Sequence, residues 1–144
     1  MKRKLTLIGM LAVFLLLSAM GSWLDPAYGQ ASNFGGTANP PFTKPALTTT
    51  TNVKTSAGNV YGYYIYNPNA SACSLDFFNV ASASVTLGTT VPVLSLVIPA
   101  TAGANLYTAQ SPLLPFSALS VAAVTAAAGG STCGTGMTVN LWYQ

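Results

Sequence analysis

The chain has 144 residues; 51% are hydrophobic, only 5% are charged, and none is histidine. Beyond residue 29 the charged side chains are Lys44, Lys54 and Asp76. Acid–base and nucleophilic catalysis draw mainly on His, Asp, Glu, Lys and Cys, so this inventory argues against an enzyme. Two isolated lysines make no basic patch, which argues against a nucleic-acid partner. The formal charge of +3 arises largely from the first few residues and says little about partners.

Residues 1–29 read as a targeting segment. Lys2, Arg3 and Lys4 precede an apolar run, Leu5 to Met20, and small residues follow at Ala27, Gly29 and Ala31. That is the pattern of a signal peptide, with cleavage expected after Gly29 or Ala31. The alternative, an uncleaved anchor, requires a run of about 18–20 apolar residues, slightly longer than this one. Export implies a secreted protein with no membrane association after cleavage. In that setting Cys73 and Cys133 are expected to form a disulfide rather than remain free thiols. Two cysteines with no histidine and one aspartate in the body supply no structural zinc set, so neither metal nor cofactor is expected.

Residues 30–51 read as an extended arm. Pro40, Pro41 and Pro45 oppose helix, and the run Thr48 to Thr51 favours extended chain. Strand patterns then follow one another. Asn59 to Tyr66 is aromatic and β-branched and stops at Asn67-Pro68-Asn69-Ala70, a turn signal. Ala72 to Val80 alternates, Cys73, Leu75 and Phe77 on one face and Ser74, Asp76 and Phe78 on the other. Asn79 to Ser84 suits a loop. Val91 to Ile98 carries an apolar face of Leu94, Leu96 and Ile98. Pro99 to Gly103 reads as a turn and Ala104 to Thr108 as a short strand. Ser117 to Ala126 aligns Leu119, Val121 and Ala123; its alanines tempt a helix, but its Val and Thr content and the Gly129-Gly130 pair favour a strand entering a loop. Met137 to Tyr143 closes the chain, with Met137, Val139, Leu141 and Tyr143 inward and Thr138, Asn140 and Trp142 outward. Seven or eight short strands at this spacing predict an all-β fold, an antiparallel, jelly-roll-like β-sandwich over residues 52–144. A single domain of this length can bury a real core.

Asp76 lacks a second carboxylate for glycosidase-type chemistry, and on a polar strand face it is expected to be solvated or paired with a lysine. The tyrosines split by strand alternation, Tyr61 with Tyr63 and Tyr64 with Tyr66. Tyr61, Tyr63 and Trp142 are candidates for an aromatic contact surface that stacks on sugars or fills a protein interface; burial of both faces is the competing expectation. Asn69-Ala70-Ser71 matches the N-glycosylation pattern on a turn. Abundant Ser and Thr with near-zero net charge leave copies of the chain little mutual repulsion.

Several stretches resemble a known group: Lys54-Thr-Ser-Ala-Gly58-Asn-Val-Tyr61-Gly62, Tyr66-Asn67, Asp76-Phe77-Phe78-Asn79, Val91-Pro92-Val-Leu-Ser-Leu with Ile98-Pro99, and Val139-Asn140-Leu-Trp-Tyr143. They are similar to small β-sandwich structural proteins of tailed phages, of the head-decoration or fibre kind. The resemblance implies a sandwich that coats or projects from a symmetric particle. The leader and the cysteine pair depart from it, because phage heads assemble in a reducing cytoplasm. The expectation is thus a non-enzymatic, exported structural subunit, homo-oligomeric or polymeric, in a filament or a virion-like coat. Its arm would lie on a neighbour's sheet edge through Phe42, Leu47 and Val53. The alternative is a module that binds a cell-surface glycan through exposed aromatics.

Overall fold

A computed structural model describes residues 41–108 and 111–144; the leader and residues 30–40 of the expected arm lie outside them. Nine strands follow in chain order: β1 (Phe42–Leu47), β2 (Thr51–Lys54), β3 (Gly58–Asn67), β4 (Cys73–Phe78), β5 (Leu94–Ile98), β6 (Ala102–Tyr107), β7 (Leu114–Phe116), β8 (Leu119–Val124) and β9 (Met137–Tyr143). One sheet has the order β1-β9-β3-β6, with β7 also paired to β3; the other is β2-β8-β4-β5. All pairings are antiparallel. The first half of the chain thus pairs with the second in nested order: β1 with β9, β2 with β8, β3 with β6 and β4 with β5. This is a β-sandwich wound as a jelly roll, as the strand patterns led one to expect.

The core lies between the sheets. Leu75 and Phe77 of β4, Leu119 and Val121 of β8, Ile65 of β3, and Met137, Val139 and Leu141 of β9 are essentially inaccessible to water. Their every-second-residue spacing in each strand is what a half-buried sheet requires. The alanine-rich stretch is strand β8, not helix, since Leu119, Val121 and Ala123 fill the core at period two. Cys73 and Cys133 are joined in a disulfide with Cα atoms 6.1 Å apart. It ties the start of β4 to the loop before β9, where Thr132 bridges to Val124 of β8 and the Cys133 amide donates to the Ala123 carbonyl.

Two expectations are corrected. The stretch from Phe42 onward is no free arm: β1 pairs with the chain's own β9, placing Phe42 opposite Leu141 and Leu47 opposite Met137. Leu47 is fully buried in the core, and Phe42 and Val53 pack against it. Pro45 is tolerated because β1 is an edge strand, which needs ladder donors on one side only, and the register shifts between Lys44 and Leu47. Asp76 is no solvated side chain either. The outer face of the β2-β8-β4-β5 sheet is roofed by residues 79–93, where Val80, Val85 and Leu87 form a second small cluster over Phe78, Ala122 and Val124, and Asp76 is fully buried on that face.

Candidate functional site

The polar groups with chemical potential are dispersed. Asp76 accepts hydrogen bonds from Ser74 Oγ at 2.8 Å and from the Ala128 amide at 2.9 Å. No lysine is among the hydrogen-bond partners found for it. Ala128 has φ +56, a backbone region disfavoured for alanine, and its hydrogen bond to Asp76 helps hold the turn after β8. The two lysines lie far from it in topology, on edge strands β1 and β2. Cys73 and Cys133 are consumed by the disulfide.

At the disulfide end a cleft of about 440 Å³ is lined by Asn69, Ala70, Ser71, Cys73, Thr125 and Cys133, among others. Its asparagines are structural. Asn67 is buried, and its Nδ2 donates towards the carbonyls of Ser71, Ile98 and Pro99. Its Oδ1 accepts from both nitrogens of Asn69. Asn69 Nδ2 also donates to the Gly136 carbonyl, and its Oδ1 accepts from Thr135. The amide that a glycan would need is thus occupied in bracing the β3–β4 turn against the loop before β9.

The outer face of the β1-β9-β3-β6 sheet is different: it is aromatic, and no described element covers it. Between Val60 and Gly62 the pairing with β9 shifts by one residue, since Val60 faces Tyr143 and Gly62 faces Trp142. Tyr61 is the extra residue, and such a bulge reverses which side chains face inward. Val60 therefore points into the core before the shift, and Ile65 and Asn67 after it. Tyr63, opposite Leu141, packs on the core, whereas Tyr64 and Tyr66 stand on the outer face, 43% and 37% exposed. The expected surface of Tyr61, Tyr63 and Trp142 is thus divided: Tyr63 lies on the opposite side of the sheet from Trp142, and Tyr61 is half-buried at the bulge. Alternation placed Tyr64 and Tyr66 together on one face, but the extra residue Tyr61 in β3 breaks the alternation that grouped it with Tyr63.

Trp142 and Tyr107 flank Gly62 from the two neighbouring strands. Their rings meet edge to face with centroids 6.2 Å apart. A side chain at position 62 would obstruct this, because a Cβ there would lie 2.9 Å from Tyr107 Cδ2 and 2.8 Å from the Leu106 carbonyl oxygen. One row along β3, Tyr64 is opposite Asn140 on β9 and Asn105 on β6, with Thr43 of β1 beyond Asn140.

The sides of the sandwich also differ from each other. On one side the edges are β1 and β2, which carry Lys44, Pro45 and Lys54, and both have irregular register. On the other side the edges are β5 in one sheet and β6 continued by the short β7 in the other, uncharged and regular in register, with Pro115 in β7. Val91 is 82% and Val97 61% exposed there, and Val93 and Leu106 are exposed as well. Comparison with protein-family models, curated proteins and solved structures gives no match to this chain.

Proposed function

We infer that the protein is a non-enzymatic, exported structural subunit that self-associates through the β5/β6 side of its sandwich. The observation that carries this reading is the asymmetry of the edges. A bare sheet edge presents unpaired N–H and C=O groups to any strand that approaches, and proteins usually blunt it with lysine, proline, bulges or a covering loop. Lysines and register shifts sit on the β1/β2 side and are absent from β5, β6 and β7, where exposed valines and a leucine adjoin the edge instead; proline occurs on both sides, as Pro45 in β1 and Pro115 in β7. Such a side invites a second copy, with β5 or β6 of each pairing antiparallel across a two-fold axis.

The low charge supports the same reading, since like copies meet with little repulsion. The disulfide is in keeping with an oxidising compartment. The resemblance to phage coat and fibre subunits suggests that the pair is a unit of a larger particle or filament, and growth beyond it needs a second contact surface, because a two-fold contact closes on itself.

Sedimentation velocity of the purified protein tests the proposal. A species at least twice the monomer mass is expected, and Val97→Lys combined with Leu106→Lys should return it to monomer. A wild-type protein that stays monomeric over the accessible concentration range, or an oligomer indifferent to both lysines, defeats it.

A further inference from the structure

We propose that the outer face of the β1-β9-β3-β6 sheet is a binding surface for an extended, uncharged polysaccharide lying along β3. This face is distinct from the β5/β6 edge and goes beyond the assembly reading. Three features of the face specify the ligand's chemistry. Exposed rings follow one another along β3: Tyr66, then Tyr64, then the Tyr107–Trp142 pair above Gly62, at steps of about 7 Å set by the two-residue repeat of a strand. Aromatic faces attract apolar C–H surfaces such as those of sugar rings, and a tyrosine adds a hydroxyl to its apolar ring.

Amides flank the row. Asn140 and Asn105 sit directly across from Tyr64 on either side, about 5 Å away by strand spacing. Asn52, Asn67, Asn69 and Asn79 spend their side-chain amides on backbone groups of the fold. Asn105 and Asn140 make no side-chain hydrogen bond among the described residues, which leaves both a donor and an acceptor facing outward beside an exposed ring, as hydroxyl recognition requires.

The third feature is charge. None of the side chains on this face is charged: the outward positions are Thr43, Asn140, Thr138 and Trp142 on β1 and β9, Tyr64 and Tyr66 on β3, and Gly103, Asn105 and Tyr107 on β6. A nucleic acid, an acidic glycan or an anionic lipid would find nothing to neutralise it, whereas a neutral polymer loses no ion hydration on landing. The exposed rings are strung along a strand, which suits a chain laid across them better than a single sugar enclosed in a pocket.

The test is retention of the purified protein on microcrystalline cellulose, on chitin and on insoluble mannan, with polygalacturonate as the acidic counterpart. Retention is expected on at least one neutral polymer, unaltered by raising the salt. Tyr64→Ala and Tyr66→Ala, both at exposed positions, should each weaken it about tenfold while the thermal midpoint and the sedimentation profile stay at wild-type values. Asn140→Ala and Asn105→Ala should each weaken it by a smaller factor. Failure to be retained on all three neutral polymers, stronger retention on polygalacturonate, or retention indifferent to both tyrosines overturns the proposal. So does an assembly that dissociates in the tyrosine variants without any polymer bound, for the face would then be a contact between copies.

Discussion

Tyr107 and Trp142 belong to strands that are not neighbours, yet their rings meet edge to face at 6.2 Å because Gly62, on the strand between them, offers no side chain. The absence of one Cβ thereby shapes one end of the aromatic row. Gly62→Ala would force the Tyr107 ring and the β6 backbone to shift, since the new methyl would fall 2.9 Å from Cδ2 and 2.8 Å from the Leu106 oxygen. A loss of about 1–3 kcal/mol is expected from such overpacking. Urea unfolding should register it, together with a change in tryptophan emission as Trp142 loses its neighbour. An unchanged midpoint would show that the rings are not held by this contact.

Asp76→Ala leaves the buried Ser74 hydroxyl and the part-buried Ala128 amide without their acceptor. An orphaned buried donor costs about 1–3 kcal/mol, and the turn around Ala128, held at φ +56, also loses a partner. Asp76→Asn keeps one acceptor oxygen and should cost less. Equal losses in the two variants would mean that side-chain volume rather than hydrogen bonding is what the site requires.

Asn67 makes the most hydrogen bonds of any side chain in the described structure's turns, donating towards three carbonyls and accepting from Asn69. Asn67→Asp preserves its shape but turns a carboxylate oxygen towards carbonyl oxygens. It should destabilise more than Asn67→Ala, because a buried charge with unfavourable partners costs more than a missing group. Chemical denaturation of the two variants at neutral pH gives the order, and the reverse order would contradict the bonding pattern.

The Cys73–Cys133 bridge closes a loop with a sequence separation of 60, worth about 4 kcal/mol on the chain-entropy account. The Cys73→Ser and Cys133→Ser double variant should unfold at a markedly lower denaturant concentration. Reduction of the wild type should reproduce that midpoint once the buried sulfurs are reached. A shift below about 1 kcal/mol would indicate that the reduced chain keeps much of its residual structure.

The β-sandwich was legible in the sequence because it rests on local periodicity. In β4, β5, β8 and β9 every second residue is apolar, and each pattern matched a strand. The loop at 79–84 and the break at Asn67–Ala70 were equally visible, since turn chemistry is local. The short β7 carried no such signal: Leu114-Pro115-Phe116 is too brief to show a period, and pairs with β3 only where β6 has ended. The arm was misread for a related reason. Proline and a threonine run describe an extended chain, but not whose sheet that chain joins, and β1 joins the chain's own β9, the last strand in the sequence.

By itself, the order of amino acids determined that this chain builds strands, holds little proton-transfer machinery and carries almost no charge, because these follow from residue type and nearest neighbours. Tertiary structure decided which faces are wet. It buried Asp76 beneath a loop, placed both lysines on one side of the sandwich, and turned Tyr64 and Tyr66 outward in place of Tyr63. Each outcome depends on a partner strand or loop distant in sequence, and in a sheet one residue of register exchanges inside for outside.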